Sequence, residues 1–287
     1  MVLEQLYPLE LVERSPLYAF ILGIGYSIIG IGIAVLLFPE DPAIVAVALI
    51  ALMILPTLNN LLKQEEEVER KQDTFNPFRF YITHKNVFKV YILLFLGILL
   101  SFSFFSLFLP SLATNFIFEN QINVLYGKAA GGAAFNAGLY KSLLINNVSV
   151  LILCFIAAFV IGDGAIFLIT WNASVWGTIF GNLAKTAALS TDKSPIIYFF
   201  IVLVIVFPHM ILEAFSYITS ASAGGVISKG LLKEKFFSKN FRDIMKNATI
   251  LFIFSIIILL IAVFVETWVL NNATTYQTII QQSSLVR

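Results

Sequence analysis

Long apolar runs alternate with short polar breaks along this chain, and the spacing of the breaks predicts its elements. About 20 apolar residues in a helix cross a hydrocarbon layer of about 30 Å. The first such run is Leu17 to Phe38, and Pro39-Glu40-Asp41-Pro42 turns it into a return run from Ala43 to Leu62. From Lys63 to Lys89 the composition inverts to charge, with Glu65-Glu66-Glu67-Val68-Glu69-Arg70-Lys71 reading as a solvated face. Further spans are predicted at Val90 to Leu109, Ser142 to Ile161, Ala165 to about Ala184, Pro195 to Ser228 and Ala248 to Leu270. The sixth is too long for a simple crossing, and Pro208 removes one of its backbone hydrogen bonds, so a bend near Val204 to Pro208, or a division into two helices, is expected there. Ser111 to Lys141 is too polar in patches to span and is expected to form a helical or re-entrant piece at the surface. Its Ala129-Ala130-Gly131-Gly132-Ala133-Ala134 run lacks the strand and the Gly-Lys-Ser/Thr ending of a phosphate-cradling loop.

The fold class that follows is all-α: a polytopic membrane bundle of about seven transmembrane helices with a kinked sixth helix. The domain reading is a two-helix hairpin with a charged linker over 1–75, a five-helix core over 76–271 and a polar tail over 272–287. Composition agrees, with 59% hydrophobic residues, 12% charged residues and a mean hydropathy of +0.90, far from the roughly 25% charge of soluble domains. A net charge of +1 gives no sign of a nucleic-acid partner. The single cysteine, Cys154, reads as packing. Glu4, Glu10 and Glu13 precede the first span where a signal peptide would carry positive charge. Lys and Arg number 13 on one side of the seven-span arrangement and 5 on the other, which places the N-terminus in the cytoplasm and the C-terminus outside a plasma membrane.

Against that oily background the candidate chemistry is concentrated in the sixth segment. Pro208-His209-Met210-Ile211-Leu212-Glu213 places a proline, a histidine and a carboxylate inside an apolar run. On a helix, His209, Glu213, Ser216, Tyr217, Ser220 and Gly224 share one face. Ionisable groups at membrane depth cost about 2.5 to 3.5 kcal/mol each, so such groups usually face the interior of a bundle and have partners there. In the fifth span Asp163, Thr170, Ser174, Gly177 and Gly181 share a small-residue face suited to close helix approach. Asn172 points to the other side, where it needs a partner or a break in the helix. Asn146 and Asn147 open the fourth span, where they are expected to cap the helix or to accept hydrogen bonds. Gly162, Gly164 and Gly225 join Gly177, Gly181 and Gly224 as close-packing candidates. Pro208 is the kink. His84 reads as an exposed histidine at the interface. One histidine beside carboxylates and asparagine is a poor zinc set, so no metal and no cofactor are expected.

Asn146-Asn147, Gly162-Asp163-Gly164, Asn172-Ala173, Pro208-His209-x-x-x-Glu213 and Ala223-Gly224-Gly225 together resemble the stage II sporulation protein M family of integral membrane proteins. The resemblance covers about 76–270, and the hairpin Leu17 to Leu62 resembles the N-terminal addition of archaeal members. Met210 and Ala173 stand where the family pattern prefers glycine. The resemblance implies a membrane anchor or scaffold for an envelope-associated complex, with no catalytic residues. Three function classes stand open. The first is a scaffold or assembly factor held by a polar lock of His209, Glu213, Asn172, Asp163 and Asn146, its small-residue faces docking a second copy, as a homo-dimer, or other membrane proteins in the bilayer. The second is a proton-coupled transporter of an unknown small molecule using His209 and Glu213, and the third is an intramembrane metalloenzyme.

Overall fold

The computed structural model describes residues 12, 15–69, 81–82, 84–129, 137–162, 164–191, 193–234, 236 and 238–284. For 59–69, 125–129, 137–139, 233 and 284 it describes the backbone alone. Among these residues all regular structure is helical: α1 (Leu17–Leu37), α2 (Pro42–Glu69), α3 (Lys85–Phe108), α4 (Ser111–Ile117), α5 (Glu119–Ala129), α6 (Ala137–Ile161), α7 (Ala165–Leu189), α8 (Pro195–Lys233), α9 (Lys239–Asn272) and α10 (Thr274–Ser284). Punctuation residues set several boundaries. Pro42 opens α2, where its missing N–H is no loss, and Pro110 follows the end of α3. Ser194 and Ser238 cap α8 and α9, accepting hydrogen bonds from the backbone N–H of Ile196 and Phe241.

Among the described residues five helical stretches are long and apolar enough to cross a membrane: Leu17–Leu37, Lys85–Phe108, Tyr140–Ile161, Pro195–Leu232 and Lys239–Asn272. Pro42–Leu58 in α2 is apolar but shorter. Helix α7 is outside this set for a different reason: Trp171, Asn172, Ser174, Thr178, Asn182 and Lys185 dilute its apolar content. Its position accounts for that composition, since only Phe167 and Leu189 of its 25 residues are exposed. A helix wrapped by other helices does not need an oily surface of its own.

Side-chain register gives the relative directions. Gly177 lies against Leu99 and Phe102, and Gly181 against Ser103 and Ser106, so α7 runs parallel to α3. Ser220 donates to the Leu151 carbonyl at 2.9 Å and Gly224 lies against Phe155, Ala158 and Phe159, so α8 runs parallel to α6. Gly23 of α1 meets Leu94, Gly97 and Ile98 of α3, where neither backbone has room for a Cβ. The N-terminal hairpin is thereby packed into the main core, which runs through Ala34, Ile50, Leu58, Phe102, Ala173 and Met210.

Several expectations change. Helix α8 is one 39-residue helix, about 58 Å long at 1.5 Å per residue, with Pro208 inside it, and it does not divide in two. Helix α6 begins at Ala137, so Asn146 and Asn147 lie more than two turns inside it and cap nothing. The segment after Asn272 is not a tail: α10 folds back on α7, burying Tyr276 and Ile279, while Ser190 donates to the Gln282 carbonyl at 2.9 Å. Tyr276, Ile279 and Ile280, spaced i, i+3, i+4, give this polar segment one apolar stripe. His84 is buried just before α3.

The surface piece after Pro110 consists of α4 and α5, with Phe118 buried against Phe102 at a ring distance of 5.3 Å. Asn120 donates to Asp41 and Gln121 to the Ala43 carbonyl, tying α5 to the α1–α2 turn. Lys185 donates to the Leu109 carbonyl at 3.0 Å and to Thr114 at 2.9 Å, satisfying the end of α3. These contacts and the Ser190–Gln282 bond gather the α1–α2 turn, α4, α5 and α10 at one end of the bundle.

Candidate functional site

The chain's polar residues converge where α6, α7, α8 and α9 separate. Below that level α6 and α8 are in contact through Gly224 and the Ser220–Leu151 bond. Above it lies a cavity of about 360 Å³ that reaches Val124 of α5 and Tyr276 of α10. His209, Glu213 and Tyr217, spaced four residues apart on α8, form one wall, and Asn146 and Asn147 of α6 form another. Helix α7 contributes Trp171, Asn172 and Trp176.

Hydrogen bonds hold several of these groups in place. Tyr217 stands one helical turn beyond Glu213 on α8 and lines the same cavity. Asn146 Nδ2 donates to Asn147 Oδ1 at 3.0 Å, and Asn147 Nδ2 reaches Glu266 Oε2 at 3.5 Å. Asn172 donates to its own helix, to the Leu168 carbonyl at 2.8 Å, so the helix stays unbroken and the amide oxygen is left for other partners. His209 is 4% exposed, its ring 6.0 Å from that of Trp176, and its buried Nδ1 has no hydrogen-bond partner. Outside the spans, burial, with the Glu266 carboxylate contributing, raises the pKa of the Tyr276 phenol.

The other expected residues have different placements. Ser216 is buried and donates to the Glu213 carbonyl, and Ser220 faces α6; neither lines the cavity. Asp163 lies outside the described residues. Gly162, expected to pack closely, has nothing within 4 Å of where a Cβ would stand; its φ of +73° is what requires glycine. Gly164 is closely packed against the end of α6, where a Cβ would stand 2.8 Å from Ile161 and 3.0 Å from the Ala157 carbonyl, whereas Gly225 has one neighbour, the Gly162 carbonyl at 3.9 Å. Gly177, Gly181 and Gly224 make helix contacts within one chain, so these faces are not free to dock a second copy.

Sequence reasoning missed Glu266, the two tryptophans and Tyr276. The signal for Glu266 was present, since it is the sole charged residue between Lys246 and Arg287 and sits in an apolar run. Among the described residues no group of three or more His, Cys, Asp or Glu is placed to hold a metal ion.

A helical bundle with membrane-length apolar helices around a carboxylate-bearing interior defines a multi-pass membrane protein. The chain belongs to the stage II sporulation protein M family: a family model described as Stage II sporulation protein M matches residues 92–269. The match starts within α3 and ends in α9, taking in His209, Glu213 and Glu266 and leaving out α1, α2 and α10. No curated protein and no solved structure matches the chain.

Proposed function

We propose that this family member is an integral membrane scaffold or assembly factor for an envelope-associated complex. It crosses the plasma membrane about seven times, with the N-terminus in the cytoplasm and the C-terminus outside. The observation that carries this reading is the set of polar ties between helices within and next to the family-matched segment. Ser220 to Leu151 joins α8 to α6, Asn147 to Glu266 joins α6 to α9, and Ser106 to the Thr178 carbonyl joins α3 to α7. Such bonds average about 0.6 kcal/mol each in membranes, so several together fix helix positions more than any single one stabilises the fold. The family is not a known enzyme family. Native mass spectrometry of the protein in lipid nanodiscs tests the scaffold. A homo-dimer that persists on dilution is expected, with Glu213→Gln reducing its yield, whereas a monomer at every concentration overturns a homo-oligomeric scaffold.

A second reading, proton-coupled movement of a small solute, would draw on the cavity that His209 and Glu213 both line. With the N-terminus inside, the cavity lies toward the outer face. Proteoliposomes carrying an internal pH dye test it: the reading requires solute-dependent proton flux that His209→Gln abolishes, and flux identical to empty liposomes counts against it.

A further inference from the structure

The cavity leads toward one end of the bundle. Its lining runs from Tyr217 back to Val206 on α8 and from Glu266 on to Leu270 on α9, and at that end it meets Val124 of α5 and Tyr276 of α10. Among the described lining residues, Leu270 and Tyr276 are the two that fall outside 92–269. The family-matched segment therefore builds the space, and α10, which the match leaves out, supplies a wall at its end.

Helix α10 sits on the bundle differently from the helix it covers. Nearly all of α7 is shielded, with Phe167 and Leu189 its exposed residues, whereas over 274–283 Tyr276 and Ile279 are the buried ones. Both belong to the main apolar core, so docking α10 takes them out of water and favours the closed position. One residue, Ala273, separates α10 from α9, with φ −80° and ψ 80°, outside helical geometry. A residue at the end of an element is where a hinge absorbs its change in φ and ψ. Gln277 Nε2 donates to the Leu270 carbonyl at 2.7 Å and to the Asn271 carbonyl at 3.2 Å. These are carbonyls of the last turn of α9, which water serves equally well when the amide leaves. Elements with few buried apolar groups open at the low end of a protein's range of local stabilities.

We infer that α10 is a lid on the cavity. Docked on α7 it closes the cavity at this end, and turning about Ala273 it opens the cavity to water. The lid requires the cavity and the placement of α10, and neither the scaffold nor the transport reading, so its failure leaves both standing.

Thiol accessibility provides the test. Val150 of α6 is partly buried and lines the cavity, and Cys154 is the single native cysteine. Cys154→Ala with Val150→Cys leaves one thiol, at the cavity wall. Its modification by trimethylammonioethyl methanethiosulfonate, which dissolves in water and does not cross lipid, is timed by intact mass in nanodiscs. Tyr276→Ser combined with Ile279→Ser, which removes the grip of α10, is expected to raise the rate at least tenfold. With Asn240→Cys, an exposed position at the start of α9, in place of Val150→Cys, the same pair is expected to change the rate less than twofold. Fast modification with and without the pair means that the cavity is open while α10 is docked, and slow modification in both means that α10 is not what closes it. Either result overturns the lid. Hydrogen–deuterium exchange of the unaltered protein decides the matter if the double variant misfolds. The amides over 276–283 are expected to exchange at least tenfold faster than those over 171–180, and equal protection means that α10 opens only with the bundle, which also overturns the lid.

Discussion

The α3–α7 seam and the α6–α8–α9 region use the same kinds of residue to opposite ends. Along α3 and α7, glycine and serine bring the backbones together: Gly177 sits against the Leu99 carbonyl and Gly181 against the Ser103 carbonyl, 2.6 Å from where a Cβ would stand, while Ser106 donates across the seam at 2.9 Å. Between α6 and α8 the same device operates over the turn from Ser220 to Gly224. Beyond that level Asn146, Asn147, His209 and Glu213 stand apart around the cavity. Small residues facing one another close a seam, whereas longer polar side chains on several helices hold it open. A polar face on a membrane helix therefore does not by itself distinguish a packing surface from a site; the size of the side chains opposite decides.

The contrast breaks most severely at Gly177. A leucine there has to enter where the Leu99 backbone and the Phe102 Cβ already stand, and a backbone carbonyl cannot swing aside as a side-chain tip can. Overpacking commonly costs about 1 to 3 kcal/mol, and contact with backbone places this site at or above the upper end. Gly177→Leu is expected to lower the yield of folded protein and to lower its melting temperature in detergent by at least about 10 °C. A variant that melts with the wild type shows that the seam is looser than its geometry implies.

Adjacent glycines on α8 sharpen the same point. A Cβ on Gly224 falls against the Phe155 carbonyl and 3.0 Å from the Phe159 nitrogen, whereas one on Gly225 has a single neighbour at 3.9 Å. Gly224→Ala is expected to destabilise by about 1 to 3 kcal/mol through overpacking. Gly225→Ala is expected to stabilise by up to about 1 kcal/mol, the propensity of alanine over glycine inside a helix. Equilibrium unfolding of the two variants side by side gives the signs, and a shared sign refutes the packing assignment.

The sequence carried the helices well and their pairings poorly. Leu17 to Phe38 and Pro195 to Ser228 were legible as helices because unbroken apolarity of that length has few other uses. His209 and Glu213 were legible because ionisable groups are costly in such runs, and Glu266 was equally legible on that rule. The mean composition of α10 is polar and suggests a tail, but its stripe of Tyr276, Ile279 and Ile280 marks an amphipathic helix. Of the two roles open to Asn146 and Asn147, capping fails because the helix begins at Ala137, well before the apolar run, while Asn147 Oδ1 does accept a hydrogen bond, from Asn146. The approach of Gly23 to Gly97 was beyond reach, since periodicity gives each helix a face but does not name the helix opposite. The cavity was beyond reach for the same reason, because it exists only where four helices part.

The smallest expected change in stability falls in the open region and is the most informative about it. Val150 of α6 is partly buried and lines the cavity beside Asn146 and Asn147. In a close-packed interior, replacing valine by phenylalanine forces neighbours off their rotamers, with the usual overpacking cost. Here the added ring has about 360 Å³ of space beside it. Its atoms exchange contact with that space for contact with Trp171, Leu168 and neighbouring apolar walls. Val150→Phe is therefore expected to unfold within about 0.5 kcal/mol of the wild type, as substitutions free of clash do. A loss of stability comparable to that of Gly224→Ala means that the α6–α8–α9 region is as dense as the α3–α7 seam, and the distinction between a closed seam and an open site fails at its centre.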